Sequence, residues 1–192
     1  MMPHRVGQPF IVDSNRVNSR GALPAMTTLR KWADAGDIKL DYTEEIWAEL
    51  ENSQNPKIQA ASRELGARFA NSLDEKEEAE ERSKIAQIVF PNGLQFDSDR
   101  VDVDTIRIAQ LWNAIVITND GDSKRQPGGI LGAKRRLHQE IGVEVMRDFE
   151  AEKLVIQLIR ERDRMEIGLA AKEGREPAAW VRWELLHETE QS

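Results

Sequence analysis

The chain has 192 residues, a length that favours one domain with room for a sizeable core. It contains no cysteine, which excludes a disulfide framework, a thiol nucleophile and Cys-ligated zinc. The net charge of −7 argues against non-specific capture of nucleic acid over the whole surface.

Met1-Met2-Pro3-His4-Arg5 has no apolar signal-like run, and no later stretch approaches the roughly 20 apolar residues of a spanning helix, so a cytoplasmic protein without membrane contact is expected. Pro9-Phe10-Ile11-Val12 is short, apolar and partly β-branched, which predicts a strand buried on both faces. Leu23, Met26, Leu29 and Trp32 recur at helical spacing across Gly21 to Ala35, and Gly36 suits the stop. Ile38-Lys39-Leu40 predicts a second strand. Thr43 then caps a helix with Glu44 and Glu45 in its first turn and Ile46, Trp47 and Leu50 along one side.

Residues 56 to 90 are helical in composition, and Pro91-Asn92-Gly93 signals a turn. Leu94-Gln95-Phe96 is the candidate third strand. Asp104 to Trp112 predicts a short helix with Ile108, Ala109 and Trp112 inward, and Ala114 to Thr118 predicts a strand. A loop from Gly121 to Gly129, a helix from Ile130 to Ile141, a fifth strand at Val143 to Met146 and a long charged helix from Phe149 to Ala171 follow. Trp180, Trp183 and Leu186 mark one more helix near the end. Alternating strands and helices predict an α/β fold with a parallel sheet covered on both faces.

Four carboxylates sit at the edges of apolar stretches: Asp13, Glu49, Asp104 and Asp120. Ligands of such sheets bind at the carboxyl ends of strands, where Asp13 and Asp120 are placed. Like charges gathered together repel and usually expect a cation. With no Cys and no clustered His, that cation is a hard one, Mg²⁺ or Mn²⁺, which takes oxygen ligands and suits phosphodiester hydrolysis. Each acid also has a plainer reading. Asp13 can cap a turn, Glu49 can belong to a solvated acidic face, Asp104 can cap the helix it opens, and Asp120 can be a turn residue before Gly121.

Three blocks carry a family resemblance. Ile11-Val12-Asp13-Ser14-Asn15 is an apolar strand followed by Asp-Ser-Asn. Thr43 to Leu50 is a helix ending in an acid and an apolar residue. Asp104-Thr105-Ile106-Arg107-Ile108-Ala109 leads into Ala114-Ile115-Val116-Ile117-Thr118-Asn119-Asp120. In this order, across roughly residues 8 to 147, they resemble the PIN-domain ribonucleases, whose fold class includes the VapC-type toxins. The resemblance implies a three-layer α/β/α fold and a five-stranded parallel sheet of order 3-2-1-4-5. It implies a PIN-like domain over 1–148 with a C-terminal helical extension over 149–192.

It also implies metal-dependent hydrolysis of RNA by an activated water at Asp13, Glu49, Asp104 and Asp120. Asp13 and Asp120 are the direct ligands, Asp104 binds directly or through water, and Glu49 holds a water on the ion or a second ion. Asp122 is an accessory acid, and Asn15 and Thr118 orient the carboxylates. Lys124, Arg125, Lys134 and Arg135 are candidate phosphate contacts, or a solvated face. The expected partners are an RNA substrate, an antitoxin-like protein if the chain is a toxin, and a second copy in a homodimer. The alternatives are a PIN-like binding module without catalysis and a DNA-directed nuclease.

Overall fold

A computed structural model describes residues 6–17, 23–54, 68–69, 75–121 and 129–187. Strand β1 (Pro9–Val12) is followed by a short helical turn α1 (Ser14–Val17), helix α2 (Pro24–Asp34), strand β2 (Lys39–Thr43), helix α3 (Glu44–Glu51) and a two-residue strand β3 (Arg68–Phe69). Helix α4 (Glu75–Val89), helix α5 (Asp97–Leu111), strand β4 (Ile115–Ile117) and helix α6 (Gly129–Arg136) come next. A π-helical turn (Leu137–Ile141), strand β5 (Val145–Met146), the long helix α7 (Asp148–Glu173) and helix α8 (Trp183–His187) complete the order.

The protein is an α/β structure built on a parallel sheet. β1 pairs with β2 on one side and with β4 on the other, and β4 pairs with β5. The register sets Ile11 beside Asp41 and Val116, and Val12 beside Ile117. β3 adds two residues to the outer edge of β2.

Because side chains alternate across a strand, each strand feeds two cores. Phe10, Val12, Ile115, Ile117 and Met146 enter one, with Met26 and Leu29 of α2, Ile46 and Leu50 of α3, and Val155 and Ile159 of α7. Ile11, Val116 and Val145 enter the other, against Ile85 of α4, Ile106 of α5 and Ile130 of α6. Both faces are therefore covered, which is why the strands read as unbroken apolar runs. Among the described residues no helix is long and apolar enough to cross a membrane.

The chain leaves β1 to one side for β2 and returns on the other side as β4. The carboxyl ends of β1 and β4 therefore flank a topological switch point, the usual crevice for ligands in such sheets. Asp13 and Thr118 are the residues that immediately follow these two strands.

Several expectations need correction. Leu94-Gln95-Phe96 is not a strand. The backbone N–H groups of Gln95 and Phe96 donate to Asp99 Oδ2 at 2.7 and 3.0 Å, so they cap α5 instead of joining a ladder, and Leu94 and Phe96 are exposed. The third strand is Arg68–Phe69. Helix α5 opens at Asp97, two turns before Asp104, because Asp97 and Asp99 favour its positive N-terminal end. Trp112 ends this helix exposed, with Lys39 Nζ 5.7 Å from its ring centroid. Near the C-terminus the buried residue of α8 is Leu185, while Trp183 is exposed. Thr43 does cap α3, accepting from Ile46 N–H at 3.2 Å.

Helix α7, expected to begin the extension, starts at Asp148 and places Ala151, Val155 and Ile159 fully inside the core beside α2. The segment after it folds back onto it. Arg182 N–H donates to Asp163 Oδ2 at 2.7 Å, Arg160 Nε donates to Leu185 O at 2.6 Å, and Val181 and Leu185 are buried.

Candidate functional site

The site grows from the register of β1 and β4. Asp13 N–H donates to Ile117 O at 3.0 Å, continuing the ladder by one residue and setting Asp13 next to Thr118. Both are buried. Asp13 Oδ2 accepts from Thr118 Oγ1 and from Asn15 Nδ2, each at 2.6 Å. Its other oxygen, Oδ1, accepts from Ser14 Oγ at 3.4 Å, and the Ser14 backbone N–H also bonds the carboxylate. Oδ2 is thus held by two short hydrogen bonds and Oδ1 by a longer one.

Thr118 also organises the second acid. Its Oγ1 accepts from Asp120 N–H at 2.9 Å while its hydroxyl proton goes to Asp13. Asp120 Oδ2 accepts from Ile130 N–H at 3.0 Å, and Leu131 N–H donates to Asp120 O at 2.9 Å, so α6 fixes the residue from the far side. Asn15 ties the two strand ends together by accepting from Asn119 N–H at 3.4 Å. Burial pushes the Asp13 carboxyl above its ordinary value. The Thr118 hydroxyl pulls it down, and the charge on Asp120 pushes it up again. The two acids therefore feel one another across the crevice.

Gly129 is the tightest point of this arrangement. Its φ is +53°, and a Cβ there would stand 2.5 Å from Asp120 O and 2.7 Å from Asp120 Oδ2. Gly129→Ala is expected to displace Asp120 and to cost about 1–3 kcal/mol through the strained backbone, read as a lower urea midpoint. Wild-type stability in that variant would refute the close approach.

Asp104 has a different setting. Its Oδ1 lies 2.5 Å from Arg82 Nε and 3.8 Å from Arg107 Nε, while Glu78 Oε1 bridges the same two guanidinium groups at 2.7 and 3.3 Å. Arg107 is fully buried, so both acids serve as its counter-charges. Asp104 also lines a cleft of about 630 Å³ with Arg82, Arg100, Leu94 and Val103. Among the described residues no group of three or more His, Cys, Asp or Glu side chains is placed to hold a metal ion. The Glu49 side chain, Asp122, Lys124 and Arg125 lie outside the described residues. Lys134 Nζ is 3.8 Å from Glu150 Oε1, and Arg135 is exposed on α6.

Two residues near the crevice escaped sequence reading. Asp148 is buried two residues after β5, and its Oδ2 is 3.5 Å from Arg16 Nη1, whose backbone N–H bonds Asp13 O at 2.9 Å. The signal was available. Asp148 lies two residues past the end of β5, and Asp120 three past the end of β4.

The buried Asp13 and half-buried Asp120 carboxylates are hard oxygen donors. Mg²⁺ is commonly held by one or two carboxylates with water filling its other positions. The more weakly held Oδ1 of Asp13 and the neighbouring Asp120 carboxylate fit that chemistry and do not fit zinc, for which His or Cys donors are usual. No protein-family model matches this sequence, and the curated proteins give no match.

Proposed function

We propose that this chain is a PIN-like, Mg²⁺- or Mn²⁺-dependent ribonuclease that hydrolyses phosphodiesters at the crevice between β1 and β4. The observation that carries the reading is the Asp13–Asp120 pair at the switch point, with Asp13 shifted toward its neutral form by burial and by its neighbour. Counting Arg68–Phe69, the strand order 3-2-1-4-5 agrees with what the resemblance implies, and the two cores support a three-layer α/β/α arrangement.

A divalent cation bound by the pair would supply positive charge to the phosphodiester and lower the pKa of a water beside it. The protein does the positioning. Thr118 and Asn15 fix Asp13 through Oδ2, and Oδ1, with its longer contact to Ser14, is the oxygen that would meet the cation. The Ile130 N–H fixes Asp120. Glu49 and Asp104 complete the acid set by resemblance, Asp104 only with Arg82 displaced from its Oδ1. In-line attack by water leaves 5′-phosphate and 3′-hydroxyl ends. An antitoxin-like partner remains part of this proposal and would be sought in the adjacent reading frame.

The ion pairs that engage Asp104 favour a second reading, a PIN-like binding module without catalysis. Incubation with varied RNAs and with DNA in Mn²⁺, against an EDTA control, separates the readings. Metal-dependent RNA cleavage leaving 5′-phosphates is expected. No cleavage of any substrate favours the module, and preferential cleavage of DNA favours a DNA-directed enzyme.

A further inference from the structure

Helix α7 carries a feature the carboxylate site does not use. At 3.6 residues per turn, Phe149, Lys153, Ile156, Gln157, Arg160 and Arg164 fall within about 100° of arc. The core-facing residues, Ala151, Val155 and Ile159, lie on another side. Lys153, Gln157 and Arg164 are exposed, and Arg160 is half-buried with Nε on Leu185 O. Together with Glu161 they line a shallow groove of about 500 Å³. Glu161 stands at its edge and accepts from Gln157 Nε2 at 2.8 Å. Phe149 is exposed at the start of the stripe, with Lys153 Nζ 5.9 Å from its ring centroid.

The stripe begins at the carboxylate end of the sheet. Asp148 contacts Arg16, which follows Asp13-Ser14-Asn15. Arg147 Nη2 lies 3.9 Å from where a Cβ on Gly121 would stand, beside Asp120. From Lys153 to Arg164 the helix rises about 16 Å, the length of a few extended nucleotides.

We infer that this face of α7 is a track for single-stranded RNA leading away from the Asp13–Asp120 crevice, an inference that rests on the ribonuclease reading for its choice of nucleic acid. Lys153, Arg160 and Arg164 neutralise successive phosphates, and the open face of Phe149 receives a base. A duplex, whose bases are stacked on one another, cannot use that ring. The arrangement reconciles an acidic protein with an anionic substrate, since the cations are collected on one stripe.

The test is fluorescence anisotropy of a short labelled single-stranded RNA in EDTA, which keeps the strand intact, over a series of salt concentrations. Lys153→Gln with Arg164→Gln removes two exposed cations and leaves Arg160 on its carbonyl, so the melting temperature should not change. The slope of log affinity against log salt should shrink by about 1.4, at about 0.7 per phosphate contact on a single strand. Phe149→Ala should weaken binding about ten-fold with the slope unchanged. An unchanged affinity and slope in the double variant overturns the track, as does equal binding of duplex RNA. If the slope falls as expected but Mn²⁺ produces no cleavage, the track stands and the ribonuclease reading fails. If cleavage is intact and the slope unchanged, the reverse holds.

Discussion

Asp13→Asn is expected to abolish Mn²⁺-dependent RNA cleavage while making the metal-free protein more resistant to heat. The loss should be at least about a hundred-fold, the scale seen when one preorganised electrostatic group is removed from an active site. The gain in stability follows from how Asp13 is held. Burial and the Asp120 charge raise its carboxyl above the ordinary value, so its ionised form opposes folding at neutral pH. Asparagine keeps an oxygen to accept from Thr118 and Asn15 and turns an N–H₂ group toward the crevice and Asp120. The sign can be checked by pH. A group whose folded value is raised has its cost above that value and loses it as pH falls through it. The excess melting temperature of Asp13→Asn over wild type in EDTA should therefore shrink on acidification. A variant that cleaves RNA normally, or that melts lower at every pH, contradicts this account of Asp13.

Asp37→Ala should be the most destabilising single substitution, costing about 3–5 kcal/mol, because removing one partner of a buried ion pair strands the others. Asp37 is fully buried before β2. Its Oδ1 is 2.8 Å from Arg162 Nη1, and its Oδ2 is 2.8 and 3.1 Å from Arg182 Nη2 and Nε. Arg162 also reaches Asp163 Oδ1 at 2.7 Å and stacks over Trp180, 4.8 Å from its ring centroid. Asp37 thereby fastens the segment after α7 to the body of the sheet. Domains of this size have stabilities of about 5–15 kcal/mol, so the loss is a large share of the whole. Urea unfolding followed by tryptophan fluorescence reads both the lower midpoint and the release of Trp180. A midpoint shift equivalent to less than about 1 kcal/mol would show that the cluster is dispensable.

The difference between these two sites explains what could be read in advance. Asp13, Thr118 and Asp120 were legible because each follows a short apolar run, and the ends of adjacent parallel strands must come together. Thr43 was legible because capping is local. The Asp37 cluster was not, because its partners lie 125 and 145 residues away in sequence and nothing in the local pattern couples them. Asp104 was misplaced relative to its helix for a specific reason. The apolar spacing at Ile108, Ala109 and Trp112 that marks the helix lies after Asp104, while the first turn carries Asp97 and Asp99, and the partner of Asp104, Arg82, lies one helix earlier, beyond any local pattern. A strand of two residues such as Arg68–Phe69 has no periodicity to detect, whereas the exposed Leu94-Gln95-Phe96 mimics one.

The central claim is that Asp13 and Asp120 share a cation. The direct measurement is the anomalous signal of manganese in crystals grown or soaked with Mn²⁺. A peak is expected about 2.1 Å from Asp13 Oδ1 and from a carboxylate oxygen of Asp120, in the crevice between β1 and β4. A crystal with manganese bound elsewhere and none between these two carboxylates would contradict it.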